Sequence, residues 1–314
     1  MGNCTPHMRP VADQRRPSKS SSTKEAPQYQ DVTSHDSDLE TTHPILQAIE
    51  TFQGGRPFGR VLDAGTGLNS LAWIAHLVHD HQRFGVSGWC AITASETMTH
   101  LCIKEGIKLG LDTQGHLILG NWFGGSKDEH DVPAEMIDFP HDDDQFDTIL
   151  VDYLVGAMDA FSPFCQDAIF ERLAAHLKPG GRLYLLGLEP LITNEQSESL
   201  VGQVQRVRDA CILLSGERCY REHPLSWVKR TLPHSGLDLV ETLRFPLLHR
   251  QDDLMDQVKT ARWMVHHPHD LRNETLNMGL EHALDELERK IHRMEFPIRL
   301  GFDYLVVAEK PMLE

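Results

Sequence analysis

The segment Val61-Leu62-Asp63-Ala64-Gly65-Thr66-Gly67-Leu68-Asn69-Ser70 constrains this chain more than any other. It opens on the apolar residues of a buried strand and bends through two glycines. It then passes directly into Leu71-Ala72-Trp73-Ile74-Ala75-His76-Leu77, whose apolar spacing suits a helix packed on a sheet. A glycine-rich strand-to-helix turn lets a ligand approach the backbone and points helix N–H groups at it. In dinucleotide enzymes this turn reads Gly-x-Gly-x-x-Gly, with an acid roughly 20 residues later. Here Asp63 precedes Gly65 and Gly67, and Ser70 stands where a third glycine would be. The turn alone also fits a generic nucleotide-binding loop.

Four further apolar runs follow in order. Trp89-Cys90-Ala91-Ile92 leads through Thr93-Ala94-Ser95-Glu96 to a helix opening at Thr97, with Gln82 to Gly88 expected as an extra loop. His116-Leu117-Ile118-Leu119 ends in Gly120-Asn121-Trp122-Phe123. Phe146-Asp147-Thr148-Ile149-Leu150-Val151-Asp152-Tyr153 reads as a fourth strand. The amphipathic stretch Phe170–Leu177 is stopped by Pro179, Gly180 and Gly181, and Leu183-Tyr184-Leu185-Leu186 then makes a fifth. Strands alternating with helices imply a parallel sheet covered on both faces.

With those motifs assembled, the chain resembles the class I S-adenosylmethionine-dependent methyltransferases. The resemblance rests on Asp-x-Gly-x-Gly at 63–67, on Phe-Asp before the fourth strand, and on Leu177-Lys178-Pro179-Gly180-Gly181 before the fifth. It implies a doubly wound, mostly parallel seven-stranded sheet of Rossmann-like type with helical insertions, and S-adenosyl-L-methionine as cofactor. By the same resemblance, Asp63, Gly65, Thr66 and Gly67 hold the methionine end of the cofactor. Glu96 accepts hydrogen bonds from the ribose hydroxyls, Asn121 receives the adenine amine, and Trp122 either stacks on the base or fills the core. Glu96 could equally be a helix N-terminal acid favoured by the helix dipole.

The chain has 314 residues, enough for a substantial core. Against 30 basic residues stand 46 acidic ones, a formal net charge of −16, which disfavours a nucleic-acid substrate. No apolar run is long enough to span a bilayer. The six cysteines lack metal-ligand spacing and suit reduced, cytoplasmic thiols. Residues 1–37 are nearly free of aliphatic side chains and are expected to be a disordered tail. A transit peptide, or lipidation at Gly2 and Cys4, is the alternative. Residues 38–190 are expected to form the cofactor-binding core and 191–235 a helical connection or cap. Residues 236–314 should supply strands six and seven with a helical insertion between them. Helical signals at 253–265 and 273–294 carry Trp263, Met264, Leu276, Met278, Leu280 and Leu287. These are expected to roof a substrate pocket or to form a homodimer face.

Methyl transfer needs alignment and exclusion of water, and a general base only when the acceptor is protonated. Asp152 and Tyr153 at the tip of the fourth strand are the catalytic candidates, with Asp152 also able to contact the cofactor. The histidine groups 76, 79, 81 and 266, 267, 269 lack cysteine partners and are read as solvated, with no metal site. His249 and His266 are alternative bases. The run His141–Asp144 is read as an exposed loop. The function expected is methyl transfer to a small molecule, its acceptor N, O or S. An aminopropyltransferase using the decarboxylated cofactor and a non-catalytic binding or scaffold protein are the rivals.

Overall fold

The computed structural model describes residues 43–111, 115–123, 145–266 and 273–312. A leading helix, α1 (Pro44–Gln53), feeds β1 (Gly59–Asp63) and α2 (Leu68–His79). Then come α3 (His81–Phe84), β2 (Val86–Thr93), α4 (Glu96–Lys108) and β3 (Gly115–Leu119). β4 (Phe146–Asp152), α5 (Leu154–Phe161), α6 (Ile169–His176) and β5 (Leu177–Leu188) complete the parallel part. The remainder is α7 (Asn194–Glu198), α8 (Leu200–Leu214), α9 (Leu225–Thr231), β6 (Asp238–His249), α10 (Gln251–His266), α11 (Glu274–Ile291) and β7 (Ile298–Glu309).

The seven strands form one sheet in the order β3-β2-β1-β4-β5-β7-β6. β1 to β5 run parallel, while β7 lies antiparallel between β5 and β6. This is the doubly wound Rossmann-like methyltransferase fold expected from the sequence. Alternation along the strands splits the core in two. Leu62, Ile149, Val151, Leu183, Leu185 and Val306 pack one face, while Val61, Leu150, Tyr184, Leu186, Leu305 and Val307 pack the other. The order reverses between β1 and β4, so the crevice beyond their carboxyl ends is where such sheets take ligands.

Some boundaries differ from expectation. Residues 82–88 are not a loop: α3 occupies 81–84, Gly85 turns at φ 63°, and β2 begins at Val86. The Phe58 and Gly59 N–H groups bond the Phe84 and Gly85 carbonyls, extending the parallel pairing backward. β5 starts at Leu177, directly where α6 ends. The sixth strand expected after residue 236 is β6, which runs from Asp238 to His249. The helical connection expected at 191–235 holds α7, α8 and α9, with residues 217–224 outside any helix or strand between α8 and α9.

Helices α8, α10 and α11 pack around their own apolar cluster, which includes Val204, Ile212, Leu254, Val258, Met264, Leu287 and Ile291. Ile298 and Leu300 of β7 join it. Those residues precede Asp303, the β7 partner of Leu188 at the end of β5, so the cluster rides beyond the carboxyl edge of the parallel strands. Met264 and Leu287 are buried within this cluster, and Leu276 and Met278 are exposed. The tail at 1–37, the run 141–144 and histidines 267 and 269 lie outside the described residues.

Candidate functional site

Asp63 ends β1 and is fully buried, yet neither carboxylate oxygen has a hydrogen-bond partner among the described residues. The neighbouring hydroxyls are committed elsewhere. Thr66 Oγ1 and Ser70 Oγ lie 3.3 Å apart, and Ser70 Oγ accepts from the Gly67 N–H at 3.0 Å. Burial pushes the Asp63 carboxyl up to about 6, and nearby Ser70, Thr66 and Gly65 dipoles only partly oppose it. Leaving a buried acceptor unmatched costs ~1–3 kcal/mol, more when charged. Such a group is able to receive a donor from a ligand.

The turn above it is pinned to both neighbouring strands. Ala64 N–H donates to the Leu150 carbonyl at 2.8 Å, and Thr66 N–H to the Ile92 carbonyl at 2.7 Å. The two glycines serve different ends. A Cβ on Gly65 would come within 3.0 Å of the Leu154 side chain, so this glycine lets the first turn of α5 close in. A Cβ on Gly67 would meet nothing within 4 Å, and its backbone is extended, with φ −128°. Among the described residues nothing crowds position 67, so the backbone there is open to approach. Ser70, in place of the usual third glycine, caps α2 from its third helical position.

The tip of β2 presents Glu96 at the first position of α4, exposed, with no side-chain hydrogen bond among the described residues. Ser95 Oγ accepts from Met98 N–H at 3.2 Å, so the helix is already capped without Glu96. Asn121 is engaged. Its Nδ2 donates to the Phe161 carbonyl at 3.0 Å, and its Oδ1 accepts from Ser162 Oγ at 2.5 Å and from Phe123 N–H at 3.3 Å. Both lone pairs are taken, so Asn121 fastens the end of α5 to β3 and would have to release a partner to receive an adenine amine. Trp122 is a core residue. It is buried, and its Nε1 donates to the Ala64 carbonyl at 2.7 Å, bracing the glycine turn from below. Of the two roles expected for Trp122, this contact matches the core one.

β4 ends with Asp152 and Tyr153. Tyr153 adopts φ 48° and ψ 18°, a left-handed conformation uncommon for a bulky residue, and its N–H bonds the Leu186 carbonyl at 3.2 Å. Its buried hydroxyl faces Asp303 of β7, a residue the sequence reading missed. Asp303 is 2% exposed, its Oδ1 has no hydrogen-bond partner among the described residues, and burial pushes its carboxyl up to about 7. The same environment, with Asp303, Asp152 and Glu222 adding negative charge, pushes the Tyr153 phenol well up. Phe302-Asp303-Tyr304 looks like ordinary strand alternation. Only the lateral insertion of β7 beside β5 turns its polar residue inward.

The chain after α8 crosses this edge. Arg221 N–H donates to the Gly156 carbonyl at 3.0 Å, and the Glu222 carboxylate fills the space left by the absent Gly156 side chain. Tyr304 Oη donates to the His223 carbonyl at 2.7 Å, and Glu189 Oε2 accepts from Leu225 N–H at 2.8 Å. Arg218 and Arg221 both pair with buried Asp159. The alternative bases sit elsewhere: His249 bonds the Leu300 carbonyl where β6 pairs with β7, and His266 pairs with Glu281 between α10 and α11. Among the described residues no group of His, Cys, Asp or Glu could hold a metal ion.

No family model matches the chain, and no curated protein matches it significantly. Solved structures do. A protein from Bacillus halodurans C-125 with a provisional methyltransferase designation superposes at TM-score 0.54 and 16% identity, over 85% of this chain and 99% of that one. The YcgJ protein of Bacillus subtilis gives 0.48 at 17% identity, covering 86% and 99%. A SAM-dependent methyltransferase from Geobacter sulfurreducens, solved with S-adenosyl-L-homocysteine, gives 0.44 at 15%, covering 85% and 91%. At such identities the likeness concerns the fold.

Proposed function

We propose that this protein transfers a methyl group from S-adenosyl-L-methionine to a small molecule. The observation that carries this reading is the Asp63–Gly67 turn: a buried, unmatched carboxylate below a glycine whose missing side chain faces open space. These residues fit the cofactor. Asp63 would receive its ammonium group, Gly65 and Gly67 would let its methionine end lie on the backbone, and Glu96 would take the two ribose hydroxyls. When bound, the cofactor supplies an electrophilic methyl group on a sulfonium. The chain's own part is to hold the acceptor in line at the β4 tip, where Asp152 and Tyr153 sit beside the turn through the Gly65–Leu154 contact. The α8–α10–α11 cluster lies at the same edge and is suited to excluding water.

The test is incubation of purified protein with a metabolite extract and methyl-labelled cofactor, followed by mass spectrometry. One or a few labelled small molecules are expected. Transfer of the aminopropyl chain from decarboxylated cofactor labelled in that chain, with no methyl transfer, would favour an aminopropyltransferase. Tight cofactor binding with no labelled product would favour a binding protein.

A further inference from the structure

Asp152 ends β4 and Tyr153 follows it, Glu189 follows β5, Asp303 lies on β7, and Glu222 lies in the chain preceding α9, all toward one edge of the sheet. The largest charge effects on Tyr153 come from Asp303, Asp152 and Glu222, and those on Tyr304 from Glu222, Glu189 and Asp303. All are acidic. The nearby guanidinium groups of Arg218 and Arg221 are turned to Asp159, and His223 stacks on Trp227 at 4.1 Å. Carboxylates gathered at one edge attract a cation and repel carboxylate or phosphate acceptors.

A second observation is independent of the charge count. Asp303 is almost wholly buried and presents an unmatched Oδ1 on the face it shares with Tyr153. Tyr153 immediately precedes Leu154, which touches the cofactor turn. We propose that the methyl acceptor is a primary or secondary amine, held by Tyr153 and deprotonated by Asp303. This rests on the methyltransferase reading above. An ammonium group has no lone pair to offer, so a base is required. Asp303 accepts the N–H proton, and the freed lone pair forms the nitrogen–carbon bond. The methyl–sulfur bond breaks with its electrons remaining on sulfur. Burial holds Asp303 at about 7, near the working pH of a general base.

The experiment begins with calorimetry of S-adenosyl-L-homocysteine, which tests the underlying reading alone. A pool of benzylamine, N-methylbenzylamine, ethanolamine, benzyl alcohol, phenol, benzoate and thiophenol at equal concentrations is then offered with methyl-labelled cofactor. Label is expected in amines only. The amine taken should bind the S-adenosyl-L-homocysteine complex at pH 8, and Asp303→Asn should weaken that binding at least tenfold. Turnover should fall by about 10²–10⁴-fold, the usual worth of a general base. Tyr153→Phe should raise KM more than it lowers kcat. Asp303→Asn removes a buried charge without changing shape, so it should fold. Label entering an alcohol, phenol, carboxylate or thiol overturns the proposal. So does bound cofactor with no labelled amine, or Asp303→Asn with unchanged amine affinity and turnover. Failure to bind S-adenosyl-L-homocysteine would instead overturn the methyltransferase reading.

Discussion

Asp63 and Asp303 are both buried acids at the edge of the same sheet, but they are held by different means. Asp63 ends a central parallel strand, and the next four residues build the turn that covers it. Asp303 lies on an antiparallel strand and meets Tyr153, about half the chain away, only because β7 inserts beside β5. The first is a local device, a strand, two glycines and a helix start in one stretch of sequence. The second exists only through topology. That difference suits their proposed tasks: a cofactor cradle can be generic, whereas an acceptor pocket has to be assembled from several elements to be selective.

The largest expected effect concerns the cost of the second acid. Both carboxyls are lifted above the ordinary 3.8, Asp63 to about 6 and Asp303 to about 7. Each therefore holds its proton more tightly folded than unfolded. Their stabilising contribution is complete below about pH 4 and is lost as pH rises through 6 to 7. Asp303→Asn should accordingly be more stable than wild type at pH 8, by on the order of 2–4 kcal/mol, and nearly equal at pH 4. Urea melts at the two pH values check this. An equal difference at both would mean that Asp303 is not a desolvated acid.

Next in size, Glu96→Ala and Asp63→Asn should each weaken cofactor binding by about 1.5–3 kcal/mol, the worth of a hydrogen bond to a charged group. Asp303→Asn should leave cofactor affinity within about twofold. If all three variants weaken it equally, the two acids do not serve separate ligands.

The glycines offer a smaller and cleaner contrast. Gly65→Ala pushes against Leu154 and should cost about 1–3 kcal/mol of stability. Gly67→Thr has open space and an acceptable helix-capping residue, so it should spare stability and weaken cofactor binding. Thermal melts paired with calorimetry separate the two. Reversal of the pattern would place the ligand elsewhere.

Smallest is the pH dependence of cofactor affinity. An ammonium group favours an ionised Asp63, so affinity should fall severalfold as pH drops from 8 to 5, with the change centred near the Asp63 value of about 6. A flat profile in wild type, matching Asp63→Asn, would remove the carboxylate from the contact.

How much of this could be read from the chain follows the same division. Buried parallel strands announce themselves as apolar runs, so β1, β2, β4 and β5 and the turn after β1 were legible, and with them the doubly wound sheet. α10 and α11 were legible from their apolar spacing. The partners of individual side chains were not. Trp122 looked equally suited to a ligand and to the core until its Nε1 was found on the Ala64 carbonyl. Asn121 looked free until Ser162, forty-one residues on, took its amide oxygen. Met264 and Trp263 looked like a roof because sequence shows that a helix has an apolar face, not which neighbour covers it. Here α8 does. Asp303 was hidden because alternation in an antiparallel strand normally places the polar residue toward solvent.

Calorimetric titration of the folded wild-type protein with S-adenosyl-L-methionine at pH 8, repeated on Asp63→Asn, bears most directly on the cofactor turn. Saturable binding to the wild type, weakened roughly 10- to 150-fold in the variant, is the expected result. No heat at millimolar cofactor, or equal affinity in the two proteins, would contradict it.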